Sequence, residues 1–297
     1  MSHRRAVLLM ILITLLWSTA GVVTRHLEAA RSFEVTFWRS AFNALSLIVL
    51  LRWLRGPALW GQLLRAPRLV WLSGVCWAAM FTAFMVAITM ASVATVLVTM
   101  ALGPLLTALF SRLFLHHRLP ARTWAAIGMA TLGIAWMFGQ EADGAGLAGV
   151  LVALLVPLAA ATNWTLLQRA THGSADPDAL APGQDMLPAV LIGALISALL
   201  TLPLAWPFQA SAHDLGLLGF LGLCQLAIPC LLVVRLSRVL PAPEIALLGQ
   251  LEVIFGVLWA WLGAGEAPAG ATLIGGATLL AALAGNEILA LRQRRSQ

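Results

Sequence analysis

Long apolar runs, separated by short clusters of arginine, proline and polar residues, set the pattern of this chain. A helix needs about 20 apolar residues to cross about 30 Å of hydrocarbon. With charges and prolines as punctuation, the sequence predicts ten such spans. The first half gives 6–24, 33–51, 69–90, 92–115 and 122–139; the second gives 145–167, 186–206, 214–236, 244–263 and 269–291. The runs are continuous and rich in Leu and Ala without period-two alternation, which argues against strands. Arg4 and Arg5 precede the first run as they would in a signal peptide. That run, however, extends to Thr24, carries Trp17 and has no small-x-small cleavage site after it, so it reads as a membrane helix.

Composition points the same way. Of 297 residues, 61% are apolar and only 10% charged, where a soluble domain carries about a quarter charged residues. That balance excludes a disordered chain, a secreted disulfide scaffold and an ordinary cytosolic enzyme. The net charge is +6 and all 18 basic residues are Arg. They fall between apolar runs instead of forming one patch, which argues against a nucleic-acid partner and makes them topology signals. With the N-terminus in the cytoplasm, the loops that face inward carry fifteen of the 18 arginines; Arg25 and Arg31 lie outside and Arg39 falls within the second span. The expectation is a multi-pass protein of the bacterial inner (plasma) membrane with both termini cytoplasmic. Cys76, Cys224 and Cys230 sit in apolar stretches with no C-x-x-C spacing and read as small buried hydrophobes.

The two halves, 1–140 and 141–297, resemble each other. At an offset of 149 residues, Met100 falls opposite Gly249 and Pro104 opposite Val253, and each helix leads into a short loop containing Pro120 or Pro268. At an offset of 144, Trp17 and Ser18 fall opposite Ala161 and Thr162. Five spans is an odd number, so the second copy enters the membrane from the opposite side. The predicted fold is therefore all-α and integral to the membrane, with ten transmembrane helices as two inverted five-helix repeats around a central cavity.

Several short motifs carry a resemblance. They are Leu16-Trp17-Ser18 in the first span, Arg39 in the second and Ala101-Leu102-Gly103-Pro104 in the fourth; Leu251-Glu252 in the ninth and Gly265-Glu266 leading into Gly275-Gly276 complete the set. Together they resemble the drug/metabolite transporter superfamily in its ten-helix exporter branch, along essentially the whole chain. Within that branch the chain is most similar to the YddG-type aromatic amino acid exporters, which implies efflux of neutral and aromatic amino acids and related metabolites. His117 stands where the pattern favours Glu, and Val253 where it often has Pro.

Ionisable groups inside a bilayer are costly and draw a functional reading first. Glu252, expected two turns into the ninth span, is a candidate ammonium partner or proton carrier; the bland reading is a hydrogen bond to Gln225 or Gln250. Arg39 is a candidate carboxylate partner, set against pairing with Glu34 or Glu28 or snorkelling to headgroups. Trp17 and Ser18 in the first span, and Asn163 and Trp164 in the sixth, are expected to line a cavity suited to a zwitterion with an apolar side chain. Thr99, near Pro104 in the fourth span, is expected to join them. The stripe Trp77, Phe81 and Phe84, opposite a small-residue face of Ala79, Ala83 and Ala87, points either to lipid or to the cavity, with lipid the expected side.

No catalytic constellation, metal site or cofactor motif appears in the sequence. His116 and His117 lie among arginines in a loop and read as a solvated face. The predicted partners are a small-molecule substrate and the lipid bilayer, and the expected activity is export by alternating access. Two rivals stand beside it: efflux of cationic or lipophilic drugs on the same scaffold, and a membrane enzyme or lipid-handling subunit.

Overall fold

The computed structural model describes residues 3–56, 59–115, 121, 124–126, 128–129, 132–133, 136, 144–172, 186–236, 239–240, 245 and 248–295. Every regular element among them is helical. The first span is split into α1 (His3–Trp17) and α2 (Thr19–Thr24), and the second is α3 (Ser32–Arg55). A short α4 (Leu59–Leu64) leads to α5 (Arg68–Met90), and the fourth span is split into α6 (Val93–Met100) and α7 (Gly103–Leu115). Then follow α8 (Gly144–His172) and α9 (Leu187–Ala205). Next, α10 (Ala212–Phe220) passes through a π-helical segment, Leu221–Ala227, into α11 (Ile228–Leu236). The last two are α12 (Leu251–Ala264) and α13 (Gly270–Arg295).

Seven of these helical stretches are long and apolar enough to cross a membrane, and α12 and Gly270–Ala282 are shorter apolar helices. The expected span 122–139 lies mostly outside the described residues, although residues 124–126, 128–129, 132–133 and 136 within it are helical. His117 also lies outside the described residues. The ninth span differs from expectation: a turn at Gln250 precedes α12, so Glu252 occupies its first turn instead of lying two turns inside a continuous helix. The turn at Gln250 stands opposite the break at Ala101–Leu102 when the halves are aligned at the offset of 149.

Two apolar clusters lie one at each end of the bundle. One gathers Met10, Leu47, Leu51, Leu59, Val70 and Leu191, close to the start of α1 and the end of α3. The other gathers Val35, Ile88, Val93, Leu97, Leu218 and Ala260, at the end that carries Arg25 (the Arg25 end). Polar side chains occupy the depth between them. Outward, Leu45, Val49, Leu199, Leu200 and Leu262 are exposed, which in water is an aggregation hazard and against acyl chains is the expected surface.

Helices are brought together by small residues, since lipid supplies no hydrophobic force between them. Helix α5 packs against both α8 and α9, and α9 also packs on α3. At the α5–α9 crossing, a Cβ on Gly193 would lie 2.4 Å from the Trp77 Cβ, and one on Gly74 would lie 2.5 Å from Ile192 Cγ2. This crossing corrects the expectation for the aromatic stripe. Trp77, Phe81 and Phe84 are buried and Ala79 is exposed, because the glycines draw α9 over the aromatic face. Gly193→Ala is expected to lower stability by about 1–3 kcal/mol through overpacking. Gly216→Ala, with open space around it, is expected to leave the melting temperature of the detergent-solubilised protein unchanged or slightly raised.

Candidate functional site

The polar layer begins at the break in the first span. The hydroxyls of Thr14, Ser18 and Thr19 donate to the carbonyls of Ile11, Leu15 and Leu16 at 2.8, 2.8 and 2.7 Å, and such back-bonding bends helices. The carbonyl of Trp17 accepts instead from the Gln225 Nε2 at 3.2 Å. Gln225 comes from the π-helical segment, a geometry that recurs at functional sites.

Arg39 meets Gln225 from α3. Its Nε–H and Nη2–H donate to the same amide oxygen, Oε1, at 3.2 and 2.8 Å. Nη1 donates to the Phe81 carbonyl at 3.4 Å, and the guanidinium carbon sits 5.6 Å from the centre of the Phe84 ring. The side chain is 1% exposed. Glu252 and the Cys230 thiol lie within electrostatic reach of it. Glu252 retains accessible surface, and no hydrogen bond to its carboxylate is found among the described residues.

Around this centre the layer is closed by hydroxyls and an indole. Ser197 of α9 shares hydrogen bonds of 2.8 Å with Ser40 of α3 and with Thr82 of α5, tying three helices at one point. The Trp259 indole N–H donates to Ser18 Oγ at 3.1 Å. The structure thus brings Trp17, Ser18, Arg39 and Glu252 together. Arg39 does not take Glu34 or Glu28, the partners weighed from sequence. Glu34 lies more than one turn nearer the helix start and Glu28 in the loop before α3, while Arg39 points inward to the π segment.

The other expected residues lie elsewhere. Asn163 is buried and accepts from Ser73 Oγ at 2.5 Å. Ser73 is five residues into α5 and Asn163 nineteen residues into α8, about 28 Å along that helix from its start. This places the pair toward the end opposite Arg25. Trp164 is half-buried against the apolar cluster of that end. Thr99 is fully buried on α6 and its hydroxyl donates to the Thr95 carbonyl at 2.8 Å. Sequence reasoning missed Ser40, Thr82, Ser197 and Trp259, which have no local signal; only the crossing of distant helices gives them partners.

The Arg25 end is stitched across many loops. Arg25 Nε donates to Glu266 Oε2 at 2.6 Å, and its Nη1 and Nη2 donate to the carbonyls of Ile88 and Ala91 at 3.0 and 3.1 Å. Glu266 Oε1 accepts the Val93 N–H at 2.6 Å. Gly265 makes this geometry available: at φ 67° it ends α12 in the left-handed region, and the Glu266 N–H reaches back to the Ala260 carbonyl at 3.1 Å. Asp214 accepts the N–H groups of Glu28, Ala29, Ala30 and Ser211 at 2.8–3.3 Å. Glu34 accepts those of Gln209 and Ala210, each at 2.8 Å. Glu28, His213 and Asp214 place ligand-type atoms within 4.8 Å of one another, but those four backbone bonds make Asp214 a clamp on the loop.

The comparisons with known proteins agree with this architecture. The profile of the EamA-like transporter family matches residues 4–139 and again residues 147–286. A pseudopaline exporter, CntI, of Pseudomonas aeruginosa (strain UCBPP-PA14) is 24% identical over 283 residues, covering 94% of each chain. A solved crystal structure, 21% identical and spanning 98% of this chain and 99% of its own, superposes with a TM-score of 0.66, which shows a shared fold. The helices, their apolar surfaces and the two profile matches lead to one conclusion: this chain is a multi-pass membrane protein that belongs to the EamA-like transporter family.

Proposed function

We propose that this transporter exports neutral and aromatic amino acids and related small zwitterions across the bacterial inner membrane. It works by alternating access between two inverted five-helix halves, 1–140 and 141–297. The observation that carries the reading is the buried arginine with a carboxyl beside it at mid-depth. Arg39 offers a carboxylate its planar donors. Glu252 offers an ammonium its negative charge, and Trp17 and Trp259 bring apolar faces and indole rings to the same layer.

The inverted repeat draws support from several directions. The family profile matches twice. The helix breaks in the fourth and ninth spans fall at equivalent places, and helix pairing follows one rule throughout. The second span packs on the seventh and the fourth on the ninth; the third packs on the sixth as the first does on the eighth. An axis in the membrane plane relates such pairs, and halves related in this way interconvert inward-open and outward-open states. With both termini cytoplasmic, as the arginine distribution implies, the Arg25 end is periplasmic. Its ion pair then forms a gate that opens for release. Asn163 and Trp164 sit nearer the cytoplasmic mouth, on the entry path, and Thr99 supports the wall of the fourth span.

One relative favours a second reading for the substrate. The similarity to a pseudopaline exporter makes a pseudopaline-like molecule the alternative cargo. A permanent cation fits less well, because a guanidinium stands at the centre of the layer.

Counterflow in proteoliposomes separates these readings. Labelled phenylalanine, tryptophan, threonine or methionine is expected to exchange, with Arg39→Ala and Glu252→Gln each lowering the rate about tenfold or more. Exchange of a quaternary cation and none of the amino acids would overturn the reading. Strong competition by pseudopaline, with no amino acid exchange, would favour the alternative cargo.

Opening of the gate is read by Cys230, buried beside Arg39, in a protein whose Cys76 and Cys224 are replaced by Ala. Arg25→Ala and Glu266→Gln are expected to raise its labelling by an impermeant maleimide several-fold from the periplasmic side. The double charge reversal Arg25→Glu with Glu266→Arg is expected not to restore closure, because an arginine cannot accept the Val93 N–H. Restored closure would reduce the latch to a simple charge pair.

A further inference from the structure

Gln225 holds Arg39 in an incomplete way. The Nε–H and Nη2–H groups form one edge of the guanidinium and point in parallel, a spacing that suits the two oxygens of a carboxylate. Both converge here on the single oxygen of a neutral amide. Among the described residues, Glu252 answers their positive charge at longer range. The amide occupies the position of a carboxylate without its second oxygen or its charge.

The segment bearing Gln225 departs from α-helical geometry. A π-helix is a rare, marginal arrangement with i→i+5 bonds, and relaxation toward i→i+4 turns its side chains about the helix axis. Gly222, in the same segment, touches α3 closely: a Cβ there would lie 2.5 Å from the Phe42 Cβ and 2.7 Å from the Asn43 nitrogen. Asn43 is one helical turn beyond Arg39 on the same face of α3. It is fully buried, and both its amide atoms lack a hydrogen-bond partner among the described residues. A buried amide left unpaired is costly, and here it stands beside the segment that carries another amide.

We infer that Gln225 is a displaceable internal substitute for the substrate's carboxylate. Cargo binding transfers the Nε/Nη2 edge of Arg39 from the Gln225 oxygen to a carboxylate, and the π segment swings the released amide toward Asn43. The same movement frees the Trp17 carbonyl at the α1–α2 break, so arrival of a carboxylate reaches the helix pair that ends at the Arg25 gate. The inference rests on the preceding reading of Arg39 as carboxylate partner. It adds that Gln225 competes with the cargo, and that the cargo must carry a carboxylate.

Binding to the full-length protein in detergent, measured calorimetrically, tests this with three probes: phenylalanine, 3-phenylpropionate (carboxylate only) and 2-phenylethylamine (ammonium only). Gln225→Leu removes the competitor and is expected to tighten both carboxylate probes about tenfold, leaving 2-phenylethylamine within about twofold. Gln225→Met is the second variant should Leu fail to fold. Gln225→Glu supplies a permanent internal carboxylate and is expected to weaken the two carboxylate probes about tenfold or more while keeping the melting temperature. Asn43→Leu is expected to weaken phenylalanine binding in the parent chain and to have no effect beside Gln225→Leu, a non-additivity that a purely structural role lacks. If Arg39→Ala weakens the carboxylate probes but Gln225→Leu and Gln225→Met do not tighten them, the displacement is overturned and the Arg39 reading stands. If Arg39→Ala changes nothing, or no probe binds any variant, both fail.

Discussion

A guanidinium buried inside a membrane-spanning bundle constrains everything near it. Arg39 is shut away from solvent, and no water in the hydrocarbon core relieves an unmatched donor. Its partners therefore come from protein, and they come from far along the chain: the Gln225 amide, the Phe81 carbonyl, the Phe84 ring and the Glu252 charge. Each requires local structure to deviate from a plain helix or an apolar surface. Gln225 is carried on a π-helical segment, Glu252 in the first turn after a helix break, and Phe81 and Phe84 on a stripe turned inward by glycine contacts. The polar layer follows from the need to house one charge.

The same need separates the two apolar clusters. Apolar packing gathers toward either end of the bundle, whereas the layer between is made from hydroxyls, amides and indoles whose bonds run between helices. Three-helix junctions such as Ser40–Ser197–Thr82 hold it together without charge. Individual interhelical bonds of this kind contribute about 0.6 kcal/mol in a membrane, so such a layer is held loosely enough to rearrange. Under the proposed alternating access, a charged latch at the surface and a weakly bonded layer inside suit a protein that changes which end is closed.

The latch also gives a physical role to the Gly265-Glu266 motif. The glycine provides the left-handed turn, and the carboxylate uses both oxygens, one for Arg25 and one for the Val93 N–H. Loops from both ends of the sequence meet there. Together they set how the ninth span ends and what it holds.

Much of the fold was legible in the sequence because hydrocarbon thickness imposes helix length and charge punctuates the runs. Eight of the expected spans coincide with described helices within a few residues. The resemblance between halves was readable as small residues and breaks, and Arg39 and Glu252 were visible as charges in apolar stretches. Their partners were not visible. Arg39 was weighed against Glu34 and Glu28 because these are near in sequence, yet the Glu34 carboxylate accepts the N–H groups of Gln209 and Ala210, and Glu28 lies in the loop whose N–H groups Asp214 accepts. Trp259 and Ser197 look like ordinary apolar-run residues until distant helices cross them. The aromatic stripe of α5 turned inward because Gly74 of α5 and Gly193 of another helix let that helix close over it, which no periodicity within α5 reveals. Sequence thus determined which segments leave water and which residues cannot be comfortable there, since those depend on local transfer free energies. Tertiary structure alone decided which helix answers each buried polar group, because that match depends on crossings between segments far apart in the chain.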